Sequence, residues 1–328
     1  MLLHLMPNAN LNEVRAQLVR RGLWTKTLRN EKAGEVSLQI VSPSPPVSLD
    51  WLSNIEGVKA VFSSEATHVK LSESAHTFPL LAGQPTDGSK ALMLAGPCSV
   101  DDEERLHRIA ADVARVGGQF LRGGAYKPRT SPYEFNGMGE VGLGWLRDAA
   151  TDNGLKVVTE VMSERDVEKV AYHADVLQIG SRNMQNFALL KAIGQTKKPV
   201  LLKRGRAATI NEWIQAGEHC MAGGTTAVVF CERGVRGFDS EMRNLLDLGS
   251  VALLRHQYGF PVIVDPSHAT GRKDLIRPLA NAAFAAGACG VMVEYHPEPE
   301  YARSDAAQAI DAETLWQIAA DQDLVESS

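Results

Sequence analysis

The sequence predicts an α/β protein: a (β/α)8 TIM barrel preceded by a small ferredoxin-like α+β domain. Three observations predict this. From residue 91 onward, eight short apolar runs alternate with helix-patterned segments. Runs apolar at nearly every position mark parallel strands covered on their faces, and eight such units fit a closed barrel, which takes ~250 residues. Residues 1–75 instead order as β-α-β-β-α-β, the split βαβ pattern. Between them lies a polar, Pro- and Gly-containing stretch, HTFPLLAGQPTDGSK. The expected organisation is a domain at 1–75, a linker at 76–90 and a barrel at 91–328, with a doubly wound open sheet as the alternative for the second region.

In the first domain, LLHLM reads as a strand. Leu11, Val14, Leu18 and Val19 then recur at helical spacing, with Asn10 as N-cap and Gly22 as the stop. WTKTL and VSLQIV alternate like strands, Pro46 to Ile55 reads as a short helix, and VKAVF closes the unit. The barrel strands are expected in ALMLAGP (91–97), QFLRGG (119–124), LKVVTEV (155–161) and VLQIG (176–180), then PVLLKRG (199–205), AVVFCERG (227–234), PVIVDPSH (261–268) and GVMVEYH (290–296). Between the first two, DDEERLHRIAADVARVGG opens with acids and ends in two glycines, as a helix does.

Composition narrows the function classes. The chain has 328 residues, a net charge of −5, 44% hydrophobic and 22% charged residues. A mildly acidic chain is not a general nucleic-acid binder, so any basic site is local. No run of about eighteen apolar residues predicts a membrane span, and MLLHLMPNANLNE lacks the basic start and long apolar core of a signal peptide. Four scattered cysteines without a CxxC pair fit a reducing compartment, so the expected location is the cytoplasm.

Barrel enzymes carry their chemistry at the C-terminal ends of the strands. Here those ends hold Cys98 on the first strand, Arg122 on the second with Lys127, Arg129 and Thr130 just beyond, Glu160 on the third and Arg182 after the fourth. The fifth ends in Lys203 and Arg204, the sixth in Glu232 and Arg233, the seventh in Asp265 and His268, and the eighth in Glu294 and His296. Each alone reads as an ordinary packing or salt-bridging residue; their shared location does not. Arg122, Lys127, Arg129, Arg182, Lys203 and Arg233 exceed the need of one carboxylate and suit a substrate pair bearing phosphates. Cys98, His268 and Glu294 come from strands one, seven and eight, which adjoin in a closed barrel. Asp305, in the loop after strand eight, is placed to reach back as a fourth ligand, and His296 is a rival. A mixed sulfur, nitrogen and oxygen set suits manganese, iron, cobalt or zinc better than magnesium or calcium. Cys220, Cys231 and Cys289 read as packing residues. A Schiff-base lysine at Lys203 is the chemical alternative.

The motifs GPCSV (96–100), RGGAYKPRTSPYEF (122–135), QIGSRNMQNF (178–187), PVLLKRG, CERG (231–234), DPSHATGRKDL (265–275) and VEYHPEPEYARSDAAQ (293–308) are recognisable together. The chain resembles 3-deoxy-D-arabino-heptulosonate 7-phosphate (DAHP) synthase, in the branch with an N-terminal ferredoxin-like regulatory domain. The resemblance implies condensation of phosphoenolpyruvate with erythrose 4-phosphate, opening the shikimate pathway. It implies one divalent metal per subunit, manganese first and iron, cobalt or zinc as alternatives, held by Cys98, His268, Glu294 and Asp305. It assigns phosphoenolpyruvate to Arg122, Lys127, Arg182, Lys203 and Arg233. Erythrose 4-phosphate falls to Lys127, Pro128, Arg129, Thr130 and Ser131. Lys127, His268 and Cys98 are the catalytic group, with Glu160 and Asp265 as supporting residues. It further implies a homotetramer and an aromatic amino-acid effector, tyrosine or phenylalanine. The nearest alternative is the sister 3-deoxy-D-manno-octulosonate 8-phosphate synthase, which takes arabinose 5-phosphate; KPRTS favours the four-carbon sugar.

Overall fold

The structure is a computed structural model and describes residues 1–30, 35–41, 43–62, 68–74, 91–127, 133 and 135–325. The chain divides into two compact units, Met1–Thr67 and His68–Ser328.

The first unit runs β1 (Leu2–Leu5), α1 (Leu11–Arg20), β2 (Trp24–Asn30), β3 (Glu35–Val41), α2 (Leu49–Ser53) and β4 (Val58–Phe62). Its sheet is antiparallel in the order β2-β3-β1-β4, so each helix crosses between strands that do not pair. The local chemistry follows the sequence. The Asn10 side chain accepts from the Asn12 and Glu13 amides at the start of α1, and Ser48 caps α2 by accepting from Trp51 N–H. Gly22 sits at φ +73°, the left-handed conformation that ends α1 without a Cβ penalty. Leu3, Val14, Leu18, Leu38 and Leu52 are fully or almost fully buried and form a core of their own.

The second unit opens with α3 (Val69–Ser74), an element that sequence periodicity did not reveal. Six residues are too few to show a helical period. α3 packs on the barrel helix at Ile210–Gly223, and the Glu218 carboxylate accepts from Lys70 N–H at 3.0 Å and Leu71 N–H at 2.9 Å. The contact division therefore precedes α3, where the sequence placed it after residue 75. The expected linker, 76–90, falls entirely outside the described residues.

The remaining elements alternate: β5 (Leu92–Gly96), α4 (Glu103–Arg115), β6 (Phe120–Arg122), α5 (Gly139–Asp152), β7 (Lys156–Glu160), α6 (Val167–His173), β8 (Val176–Ile179), α7 (Phe187–Gln195), β9 (Val200–Lys203), α8 (Ile210–Gly223), β10 (Val228–Glu232), α9 (Leu248–Tyr258), β11 (Val262–Val264), α10 (Pro266–Thr270), α11 (Ile276–Ala285), β12 (Gly290–Glu294) and α12 (Ala312–Ala320). β5 to β12 are parallel and close as β10-β11-β12-β5-β6-β7-β8-β9, the barrel that the apolar runs predict. The strands end a few residues earlier than the runs, and one of these boundaries bears on the site. PVIVDPSH is strand only to Val264, and Asp265-Pro266 starts the short helix α10. Proline at the first helical position and an aspartate cap favour that turn, so His268 lies on a helix and not on a strand.

Candidate active site

Strand parity decides which charged residues enter the barrel. Its apolar interior includes Phe120, Val158, Val176, Leu201, Cys231, Ile263 and Met292. Two residues further on, each gives way to a polar side chain on the same strand face: Arg122, Glu160, Gln178, Lys203, Arg233, Asp265 and Glu294 respectively. The hydrophobic core is thus capped by a layer of charge at the C-terminal mouth. Arg204 and Glu232 have the opposite parity and point outward. Arg204 Nη1 lies 3.0 Å from Glu232 Oε2 and 2.8 Å from Asp247 Oδ2, joining β9 and β10 to the cap of α9. These two strand-end charges therefore serve the outer layer.

On one side of the mouth, Cys98, His268, Glu294 and Asp305 bring one ligand atom each within 4.8 Å of one another. Cys98 Sγ is 3.1 Å from Asp305 Oδ2, and His268 Nε2 is 3.2 Å from Glu294 Oε1. Asp265 organises this side. Its Oδ1 accepts from His268 N–H at 3.0 Å and its Oδ2 lies 2.8 Å from His268 Nδ1. In that contact His268 Nδ1–H donates to the Asp265 carboxylate, which turns Nε2 toward Glu294, the orientation a metal-bound imidazole needs. Glu294 Oε2 accepts from Gln308 Nε2 at 2.6 Å, and Arg243 Nη1 reaches Gln308 Oε1 at 3.0 Å and Asp305 Oδ1 at 3.3 Å. Asp305 itself sits at φ +54°, in a left-handed conformation that aspartate tolerates better than most residues. His296 is not in the group; its Nδ1 accepts from Glu298 N–H at 3.0 Å.

The donor set fits a divalent cation. Bonds of roughly 2.0–2.3 Å place any two ligands of one ion within about 4.5 Å of each other, close to the observed spacing. Burial, reinforced by Glu294, pushes the Cys98 thiol up to about 12, against Lys127 and Arg122. A divalent cation at that point reverses the balance, since a coordinating thiol is deprotonated outright.

The cations surround this group. Arg122 Nη1 donates to Pro97 O at 2.8 Å and to Glu294 Oε1 at 3.2 Å. Lys203 Nζ is 2.6 Å from Asp265 Oδ2, so its amine is held in an ion pair and not presented as a nucleophile. Lys127 Nζ is 2.5 Å from Cys98 O and 2.9 Å from Cys98 Sγ. Gly124 makes room for it, because a Cβ there would sit 2.9 Å from that Nζ. Gly180 does the same for Glu160: its Cβ would lie 2.0 Å from Oε1. Arg233 is 5% exposed with Nη1 buried and unpartnered, and Arg122 Nε is likewise buried without an acceptor. Burial lowers the Arg233 pKa; Asp265 opposes this and Arg243 and Arg206 add to it. Buried donors without acceptors are costly in isolation and are expected where a bound anion completes the site. Arg182, in the turn at Ser181–Asn183, lines a cleft over the ends of β8 to β10. Pro128, Arg129, Thr130 and Ser131 lie outside the described residues.

Sequence reading missed three residues here: Gln178, Gln308 and Arg243. Gln178 was accessible by parity, since it follows Val176 as Lys203 follows Leu201. Gln308 and Arg243 lie in irregular segments where no period marks them.

Comparison with known proteins agrees with this geometry. The model of the DAHP synthetase I family matches residues 70–325. A phospho-2-dehydro-3-deoxyheptonate aldolase of Thermotoga maritima is 50% identical over 226 residues, 69% of this chain and 67% of its own. A 2-dehydro-3-deoxyphosphooctonate aldolase of Acidithiobacillus ferrooxidans is 31% identical over 71% of this chain and 86% of its own. Among solved structures, the phospho-2-dehydro-3-deoxyheptonate aldolase (DAHP synthase) of Thermotoga maritima superposes with a TM-score of 0.77 at 38% identity, covering 98% of this chain and 96% of that one. A truncated form of the 3-deoxy-D-arabino-heptulosonate 7-phosphate synthase from Thermotoga maritima matches 71% of this chain and 86% of its own, with a TM-score of 0.67 at 45% identity. With the family model spanning nearly the whole barrel unit, and a four-ligand cluster and buried cations at its mouth, the chain belongs to the DAHP synthetase I family.

Proposed function

We propose that the barrel condenses phosphoenolpyruvate with erythrose 4-phosphate and water, giving 3-deoxy-D-arabino-heptulosonate 7-phosphate and inorganic phosphate. The observation that carries this reading is the meeting of a four-ligand cluster with buried, incompletely partnered arginines at one barrel mouth. Arg122, Arg182, Lys203 and Arg233 hold phosphoenolpyruvate through its phosphate and carboxylate, bringing two anions together against their repulsion. Arg129, Thr130, Ser131 and the Pro128 backbone hold the phosphate of erythrose 4-phosphate. C3 of phosphoenolpyruvate attacks the aldehyde carbon, water adds at C2, and the resulting hemiketal phosphate loses phosphate. Lys127 Nζ, beside Cys98, donates the proton that turns the aldehyde oxygen into a hydroxyl. A divalent ion on Cys98, His268, Glu294 and Asp305, manganese first and iron, cobalt or zinc as alternatives, supplies Lewis-acid polarisation of that oxygen when bound. Glu160 and Asp265 support the arrangement; Glu160 accepts from Gln178 Nε2 at 3.3 Å.

The test is phosphate release from phosphoenolpyruvate with erythrose 4-phosphate or arabinose 5-phosphate, each with EDTA and with manganese restored. Turnover with the four-carbon sugar alone, lost with EDTA and rescued by metal, is expected. Preference for the five-carbon sugar would move the chain to the octulosonate reaction. Metal-independent turnover would remove the metal from the reading.

We also propose that the first unit makes the enzyme allosteric, binding tyrosine or phenylalanine, and that the enzyme is a cytoplasmic homotetramer. α3 packs within the barrel unit, so the informative deletion removes residues 1–67 and keeps α3. Activity should survive and inhibition should vanish. Full sensitivity in the truncated chain would place the effector elsewhere.

A further inference from the structure

A cleft of about 350 Å³ opens over the ends of β8, β9 and β10 and includes Arg182, Gln185, Arg206, Glu212 and Arg236 in its wall. Two of its cations, the exposed Arg206 and Arg236, are poorly balanced by the described residues. Glu212 is the acid of this group, and it is already engaged. It accepts from Thr209 N–H and Oγ1, both at 2.8 Å, and from Gln185 Nε2 at 3.3 Å. Among the described residues, Arg206 and Arg236 have no carboxylate within ion-pair distance. A backbone bond, Arg236 N–H to Arg206 O at 2.7 Å, nevertheless ties their two loops together. Two guanidinium-bearing residues are thereby drawn close in a chain whose net charge is −5. The positive field also reaches inward, since Arg206 is among the groups that depress Arg233.

Like charges held together by the backbone are unfavourable until an anion joins them, and guanidinium forks suit phosphate oxygens. A cleft of this size admits a small phosphorylated molecule. We propose that it is a second anion site, taking a doubly charged phosphate group. It is separate from the inner pocket of Arg122, Lys203 and Arg233, with Arg182 at the junction of the two. Resting on the reaction proposed above, its natural occupant is the inorganic phosphate released at each turnover, held on its way out.

The experiment is a calorimetric titration of the full-length chain with inorganic phosphate at low ionic strength. It compares the wild type, R206A/R236A, the milder R206Q/R236Q, and a charge-matched control, K156A/K191A, on other surfaces. The wild type should take up one more phosphate per chain than either cleft variant; the control should match the wild type. Phosphate inhibition of turnover should weaken about tenfold in the cleft variants. Equal phosphate stoichiometry and affinity in all four proteins would overturn the site. Loss of the cleft phosphate with inhibition unchanged would keep the anion site and overturn product phosphate as its occupant, leaving the phosphate of an arriving substrate. Cleft phosphate, lost in both cleft variants, in a chain that turns over no phosphoenolpyruvate would keep the site and reject the catalytic reading.

Discussion

The two sides of the barrel mouth are built on opposite principles. On the side of β11, β12 and β5, charged groups are engaged by other protein groups: Asp265 by Lys203 and His268, Glu294 by Arg122, Gln308 and His268, and Asp305 by Arg243 and Cys98. On the side of β8, β9 and β10, Arg233 keeps a buried donor unpartnered, and Arg206 and Arg236 lack carboxylates among the described residues. The first side is preorganised by the protein for a cation. In the reading proposed above, the second is completed by anions that come and go. A group that must stay is anchored by internal pairs, whereas a group that must leave meets some donors, Arg233 Nη1 and Arg122 Nε among them, that no protein acceptor satisfies.

The largest expected effect strips the paired side of its cation. Chelation, or Cys98→Ala, should lower turnover by roughly a thousandfold or more, as the loss of several kcal/mol of Lewis-acid stabilisation demands. Manganese should rescue the chelated wild type and not the variant, read by phosphate release. Next comes a pair of substitutions with opposite consequences. Asp265→Ala leaves Lys203 as an uncompensated buried cation and should destabilise the fold by roughly 3–5 kcal/mol, measured by denaturant melts. Arg233→Met removes a buried charge with an unpartnered donor. Its stability should be unchanged or higher, while kcat/KM for phosphoenolpyruvate falls by about a hundredfold. Equal loss of stability in both variants would erase the distinction between the two sides.

Much of this arrangement was legible before any coordinates. Eight apolar runs specified eight strands, and the charges at their ends gather at one mouth of the barrel. What the runs did not convey was orientation. Lys203 and Arg204 are adjacent and equally charged, yet one enters the mouth and the other joins Glu232 outside. Period-two counting from the interior apolar residues separates them, and it also yields Gln178. Gln308 is different. It lies in the turn Ala306–Gln308, near in space to Glu294 only because β12 and its following loop fold back. Tertiary proximity of that kind leaves no local pattern.

Gln308 therefore supplies a finer probe of the paired side. Gln308→Leu removes the donor to Glu294 and the acceptor for Arg243. It should weaken metal affinity by roughly 10–100-fold, followed by titrating the apo chain with cobalt and reading its thiolate charge-transfer band. An unchanged cobalt affinity would make Gln308 a packing residue. The smallest effect lies far from the mouth. The Arg277 guanidinium, with help from Asn281, lowers the Asp321 pKa from 3.8 to about 2. Its stabilisation is present above its unfolded pKa and is lost as pH falls from 3.8 through about 2. Asp321→Asn should slightly flatten the acid limb of the stability profile in that window and leave it parallel above pH ~5. An acid limb identical to that of the wild type would show that this exposed pair contributes nothing.

Closure of the barrel sheet has a consequence for solution behaviour. Every strand from β5 to β12 has a neighbour on both sides, so that sheet offers no free row of backbone donors and acceptors to another chain. The smaller sheet is open: within it, β2 and β4 pair on one side only. Lys26 and Arg29 on β2 and Lys59 on β4 bring charge to those rims, a common protection against edge-to-edge pairing. Self-association by strand addition is thus confined to the first unit, and removing residues 1–67 removes both vulnerable rims at once.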